Sequence, residues 1–138
     1  MANVLLPENI SKNTLFPNIP REINLSGTNY AVVVPAATNV IRESQKNFAL
    51  VTSIIVTNKS LRSIPIFAKV TNDVDSKTAF VLYGVNIPPG TAFEVIQGNK
   101  FILSENDKLY IYHTDTAEGV ADAMVSYVIH KPEAEYTV

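Results

Sequence analysis

The chain has 138 residues with 11 Lys and Arg against 13 Asp and Glu, a formal charge of −2, and no cysteine. That length builds one domain and buries roughly two-thirds of the unfolded surface, while the balanced charge offers no field for nucleic acid or anionic lipid. Disulfides, thiolate zinc sites and cysteine nucleophiles are excluded together.

Only 17% of residues are charged and 46% are apolar, against about 25% charged in ordinary soluble domains. So thin a charge suits a surface that partners partly cover. The N-terminal Met1-Ala2-Asn3-Val4-Leu5-Leu6-Pro7-Glu8 has no basic leader and too short an apolar run for a signal peptide. No stretch approaches the length of a membrane span. The expectation is a soluble protein made in a cytoplasm.

Residues 1–20 read as an extended arm. Pro7, Pro17 and Pro20 oppose a helix or a central strand, yet Leu5, Leu6, Leu15, Phe16 and Ile19 are too apolar for a free linker. Such a segment lies on something, either the domain body or a neighbouring subunit. From Arg21 to residue 132 short strands follow one another with turn signals every 8–12 residues or so, the layout of a sandwich or barrel. Residues 133–138 are a C-terminal tail.

The predicted strands are 21–25, 29–34, 47–57, 63–71, 79–86, 92–96, 100–103, 108–113 and 120–131. Within 47–57, Phe48, Leu50, Thr52, Ile54 and Val56 alternate with residues that are also fairly apolar, which predicts a central strand covered on both faces. Pro65 places the next strand at a sheet edge, because proline cannot donate to a ladder. Leu109 and Ile111 point one way, and Tyr110 and Tyr112 the other. In the last strand Ala123, Val125, Tyr127 and Ile129 share one face. Turns are set by Ile87-Pro88-Pro89-Gly90, Gln97-Gly98-Asn99 and Glu105-Asn106-Asp107. No segment sustains a 3.6 period, so the fold class is all-β: an antiparallel β-sandwich, jelly-roll or Ig-like Greek key, of about eight strands. Residues 35–46 form a long polar connection suited to contact at one end of the sandwich.

No catalytic residue, cofactor site or metal site is expected. His113 and His130 end strands without converging ligands and read as histidines satisfied by backbone or water. Asn72-Asp73-Val74-Asp75 lacks the glycine and distal glutamate of a calcium loop and reads as a solvated hairpin turn. Asn58-Lys59-Ser60 matches a glycosylation triplet but reads as a hairpin turn between the strand ending at Thr57 and the one beginning at Ser63. Glu43, Glu94, Glu105 and Asp107 are scattered surface acids. Tyr110 and Tyr112, with Tyr83 nearby, offer an aromatic platform for a protein partner or a sugar. The candidate interface residues are therefore Leu5, Leu6, Leu15, Phe16, Ile19, Tyr110 and Tyr112.

The order Ser53-Ile54-Ile55-Val56-Thr57-Asn58, Ile87-Pro88-Pro89-Gly90-Thr91-Ala92-Phe93-Glu94-Val95, Gly98-Asn99-Lys100-Phe101-Ile102-Leu103, Asp107-Lys108-Leu109-Tyr110-Ile111 and Val125-Ser126-Tyr127 resembles a small β-sandwich of structural proteins in tailed-bacteriophage virions. The match covers about residues 47–131. The resemblance implies a non-enzymatic virion component of the capsid surface, neck or tail that self-assembles, with a trimer as the expected homo-oligomer, and docks on other virion proteins. Nucleic acid and membrane are not expected partners. The alternative is a carbohydrate- or receptor-binding module of a phage appendage, using Tyr83, Tyr110 and Tyr112 as a stacking surface.

Overall fold

The structure, a computed structural model, describes residues 8–19, 31–34, 46–96, 100–115 and 120–131. The expected strand 21–25, most of the connection 35–46, the turn Gln97-Gly98-Asn99, the tail 133–138, and Leu5, Leu6 and Glu43 lie outside the described residues. Nine strands follow in order: β1 (Glu8–Phe16), β2 (Ala31–Val33), β3 (Phe48–Asn58), β4 (Ile64–Asn72), β5 (Lys77–Ile87), β6 (Ala92–Glu94), β7 (Phe101–Ser104), β8 (Asp107–His113) and β9 (Ala121–Lys131). No helix among the described residues is long and apolar enough to cross a membrane.

The strands form two antiparallel sheets. One has the order β1-β9-β3-β6 with β7 also on β3, and the other β2-β8-β4-β5. Because β6 and β7 occupy successive stretches of the same side of β3, they count as one interrupted edge strand. The sheet orders are then those of a jelly roll, two Greek keys folded face to face. Val51, Ile54, Val56, Leu103 and Val125 of the first sheet pack against Ile64, Ile66, Ile87, Leu109 and Ile111 of the second, all buried. Each such aliphatic side chain contributes about 1.5–3 kcal/mol on leaving water.

Residues 8–16, expected to belong to an arm outside the sandwich, form β1, which pairs with β9 along its whole length from Glu8↔Lys131 to Phe16↔Ala123. Phe16 and Ile19 enter the core, and the Ile19 N–H donates to the Ala121 carbonyl at 2.9 Å. Pro17 does not oppose this strand because it lies just past its end. The sandwich therefore begins well before residue 21, and a truncation of residues 1–20 removes an edge strand with two core side chains.

β3 is central as expected, but its phase is not continuous. The register against β9 steps from Val51↔Tyr127 to Ser53↔Ser126, leaving Thr52 as the extra residue of a β-bulge. Ala49 and Val51 face the core before the bulge, and Ile54, Val56 and Asn58 after it. The outward set, Phe48, Leu50, Ile55 and Thr57, is half-buried, not covered. The Thr52 hydroxyl donates to the Ser126 carbonyl at 3.0 Å and fastens the bulge.

β4 is an internal strand, not an edge, despite Pro65. Its pairing with β8 starts only at Ile66↔His113, so Pro65 lies beyond the end of that ladder and faces a neighbour, Asn86, on the β5 side alone. The β4–β5 connection is the hairpin expected around Asn72-Asp73-Val74-Asp75. The Asp75 N–H donates to Asn72 Oδ1 at 2.9 Å, a local side-chain-to-backbone bond that closes the turn, and Ser76 takes a left-handed φ of 53°.

Candidate interaction surface

The outer face of the second sheet is built from cross-strand rows, which the register fixes. Tyr112 of β8 stands opposite Phe67 of β4, Tyr110 opposite Lys69, and Lys108 opposite Thr71. On the other side of β4, Lys69 stands opposite Phe80 and Thr71 opposite Thr78. Between them β5 carries two irregularities. The pairs Ile66↔Val85 and Ala68↔Leu82 leave Tyr83 and Gly84 opposite Phe67 alone, and the pairs Ala68↔Leu82 and Lys69↔Phe80 leave Val81 with no partner.

These bulges decide which side chains meet. In a regular strand residues three apart point to opposite faces. The extra residue Val81 brings Phe80 and Tyr83 to the same face, where their rings meet edge to face at 4.9 Å. Gly84 has φ of 64°, and a Cβ there would lie 3.5 Å from Phe67 Cζ, so the ring packs directly on the bulged backbone. Phe67 is the hub: it stacks on Tyr112 at 5.1 Å and 9° between planes, and meets Tyr83 edge to face at 5.2 Å. Such pairs add about 0.5–1.5 kcal/mol each beyond area burial.

Lys69 lies within this face, its ammonium 5.1 Å from the Tyr112 ring centroid and 5.6 Å from that of Tyr110. Burial lowers its pKa from the ordinary lysine value. Tyr112 is pushed the other way, above the ordinary phenol value, by burial and secondarily by Tyr83. Tyr112 is therefore a neutral hydrogen-bonding group at neutral pH.

The expected platform of Tyr83, Tyr110 and Tyr112 is thus redrawn. Tyr83 is 72% exposed, whereas Tyr110 is 1% exposed and unavailable to a partner. Tyr110 is flanked by Ala31 of β2 and Lys69 of β4. Phe67, Lys69 and Phe80 complete the face. Sequence reading missed Phe80 because the alternation rule fails at the Val81 bulge; Phe67 and Lys69 lie on the unbroken β4 ladder and read only as a mixed, half-buried face.

The remaining candidates have structural roles. Leu15 is 68% exposed and lines a cleft of about 350 Å³ with Ile55 and Met124 on the outer side of the first sheet. Phe16 and Ile19 are core residues. His113 is buried; its Nδ1 accepts from the Asp115 N–H at 3.2 Å, which leaves Nε2 to donate to the Ile19 carbonyl at 3.2 Å. His130 packs its ring on Phe48 at 4.7 Å.

Asn58 is fully buried, so the triplet it opens is no glycan acceptor. It caps a crossing between sheets, since β3 and β4 belong to different ones, and not the hairpin that the sequence suggested. Its amide donates to the Arg62 carbonyl at 2.7 Å and the Ile87 carbonyl at 2.9 Å, and its oxygen accepts from the Ser60 N–H and hydroxyl. Glu94 accepts from Ser53 Oγ at 2.9 Å, Glu105 from the Asn47 N–H, and Asp107 from Asn72 and the Ser104 N–H. No group of three or more His, Cys, Asp or Glu among the described residues could hold a metal ion.

The fold and this face define an antiparallel jelly-roll sandwich with an aromatic outer surface. No protein-family model and no curated protein matches the sequence. Among solved structures, the chain is similar to the T13 viral particle of infectious bursal disease virus, with 8% identity, a TM-score of 0.45, and coverage of 91% of this chain and 31% of that chain. It is also similar to the structure of the Gx strain of that virus, at 10% identity and TM-score 0.44 over 91% and 32% of the two chains. The VP2 subviral particle of the same virus gives 8% identity and 0.43 over 91% and 33%. This chain spans about a third of the length of those chains.

Proposed function

We propose that the chain is a non-enzymatic structural subunit of a virus particle, one that assembles with copies of itself and docks on other virion proteins. The observation that carries this reading is the aromatic outer face of a jelly-roll sandwich, with Tyr83 and Phe80 exposed around a Phe67 hub. Jelly rolls serve viral shells and lectins alike, and fold alone assigns no function. Aromatic side chains gathered on a sheet face are the usual core of a protein interface. The strand and turn order resembling virion proteins of tailed bacteriophages supports the same reading, with a ring of three as the proposed assembly on the capsid surface, neck or tail.

The second reading is a glycan- or receptor-binding module of such an appendage, favoured by the exposure of Tyr83. Sedimentation velocity of the purified chain over a wide concentration range separates the two. A concentration-dependent oligomer supports the structural subunit. A monomer at every concentration that binds a saccharide with a change in tyrosine fluorescence supports the module.

A further inference from the structure

Resting on the assembly reading, we infer that the β4–β5 hairpin tip of one copy seats on the aromatic face of the next, with Asp75 meeting Lys69. The sheet edges are poor templates for assembly. At the edges of the two sheets, among the described residues, β2 and β6 are three residues long and β7 four, and β5 is broken by two register shifts. β1 is longer, but Lys12 stands at its centre opposite core-facing Tyr127, and a charge pointing to the core side of an edge strand opposes pairing. Contact between copies therefore falls to the faces and the loops.

Two opposite charges identify the occupant. Lys69 lies among Tyr110, Tyr112 and Phe80, with rings as its neighbours and no carboxylate partner among the described residues. Asp75 sits on the exposed tip, and among the described residues its one polar contact is through its backbone, the N–H donating to Asn72 Oδ1. Asp73 beside it is already held by Lys108 at 2.6 Å. Between the two acids Val74 is exposed as a large apolar side chain, so the tip presents an apolar knob beside a free carboxylate. The face presents an apolar surface beside a cation. Pairing face to face would set Lys69 against Lys69, which is repulsive; tip to face pairs each with its complement. The contact is head to tail, and such contacts close into rings or run on as filaments.

The test is a charge exchange read by sedimentation velocity of the full chain. Lys69→Glu and Asp75→Lys should each weaken self-association by roughly thirtyfold or more, the effect of a hot-spot residue. The double variant Lys69→Glu with Asp75→Lys should restore it. Tyr83→Ser, at an exposed position that leaves the core intact, should weaken it as well. Thermal melts of all variants establish that each is folded. If the wild-type chain assembles and neither single charge variant changes the oligomer, this contact is wrong and the assembly reading stands. If the single variants weaken assembly and the double variant does not restore it, Lys69 and Asp75 are not partners. A wild-type chain that stays monomeric overturns both.

Discussion

Phe80 and Tyr83, three residues apart in β5, meet edge to face on one side of the sheet with ring centroids 4.9 Å apart. The unpartnered Val81 between them makes this possible. The irregularity at Val81 lets residues three apart in sequence share a face, and it spoils the ladder of this edge strand for edge pairing.

Deletion of Val81 should remove the irregularity between Phe80 and Leu82 and leave the one at Tyr83-Gly84, with Phe80 and Tyr83 still on the outer face. Stability should change by less than about 1 kcal/mol, and the near-ultraviolet circular dichroism of the aromatic cluster should persist. Gly84→Ala, by contrast, should cost about 1–2 kcal/mol, because the left-handed φ of 64° strains any side chain while the approach to Phe67 is ordinary contact. Urea titrations of the two variants check the pair; equal costs would mean that the bulges are misassigned.

Asn58→Ala should destabilise the sandwich by about 3 kcal/mol. The substitution strips hydrogen bonds from the Arg62 and Ile87 carbonyls at the crossing between sheets and leaves a buried void. Chemical denaturation measures this directly. A cost within experimental error would show that the crossing is held by other contacts.

The Asp122 carboxyl is held below its ordinary value of 3.8, chiefly by the Asn18 N–H at 2.8 Å, with burial opposing and Lys59 assisting. A carboxyl depressed in the fold adds stability that is present above its unfolded value and is lost as pH falls through its folded value. Asp122→Asn should therefore melt lower than the wild type at pH 7, by about 0.5 kcal/mol for so exposed a site. The difference should shrink as the pH falls from about 5 to about 2. A difference that stays constant over that range would assign the effect to packing.

The strands legible in the sequence were those where alternation and turn chemistry agreed. β7 and β8 are bounded by Asn106, whose φ of 70° suits the turn, and β9 alternates without interruption along its length. β1 was hidden because its residues Asn9, Ser11, Asn13 and Thr14 carry little β signal, and only pairing with β9 makes it a strand. The core phase of β3 and the place of Phe80 beside Tyr83 on the aromatic face were hidden for one shared reason. A bulge shifts every later side chain by one position, and nothing in the local composition marks Thr52 or Val81 as the extra residue. Pro65 misled in the opposite way, since a proline is harmless in an internal strand wherever the neighbouring ladder has already ended.

The central claim, that the aromatic face receives the hairpin tip of another copy, is tested most directly by zero-length carbodiimide cross-linking of an equal mixture of light and isotopically heavy chains. The account predicts a Lys69–Asp75 cross-link whose mass spectrum includes the mixed light–heavy species. Cross-links that join Lys69 only within one chain, or to a carboxylate other than Asp75, would contradict it.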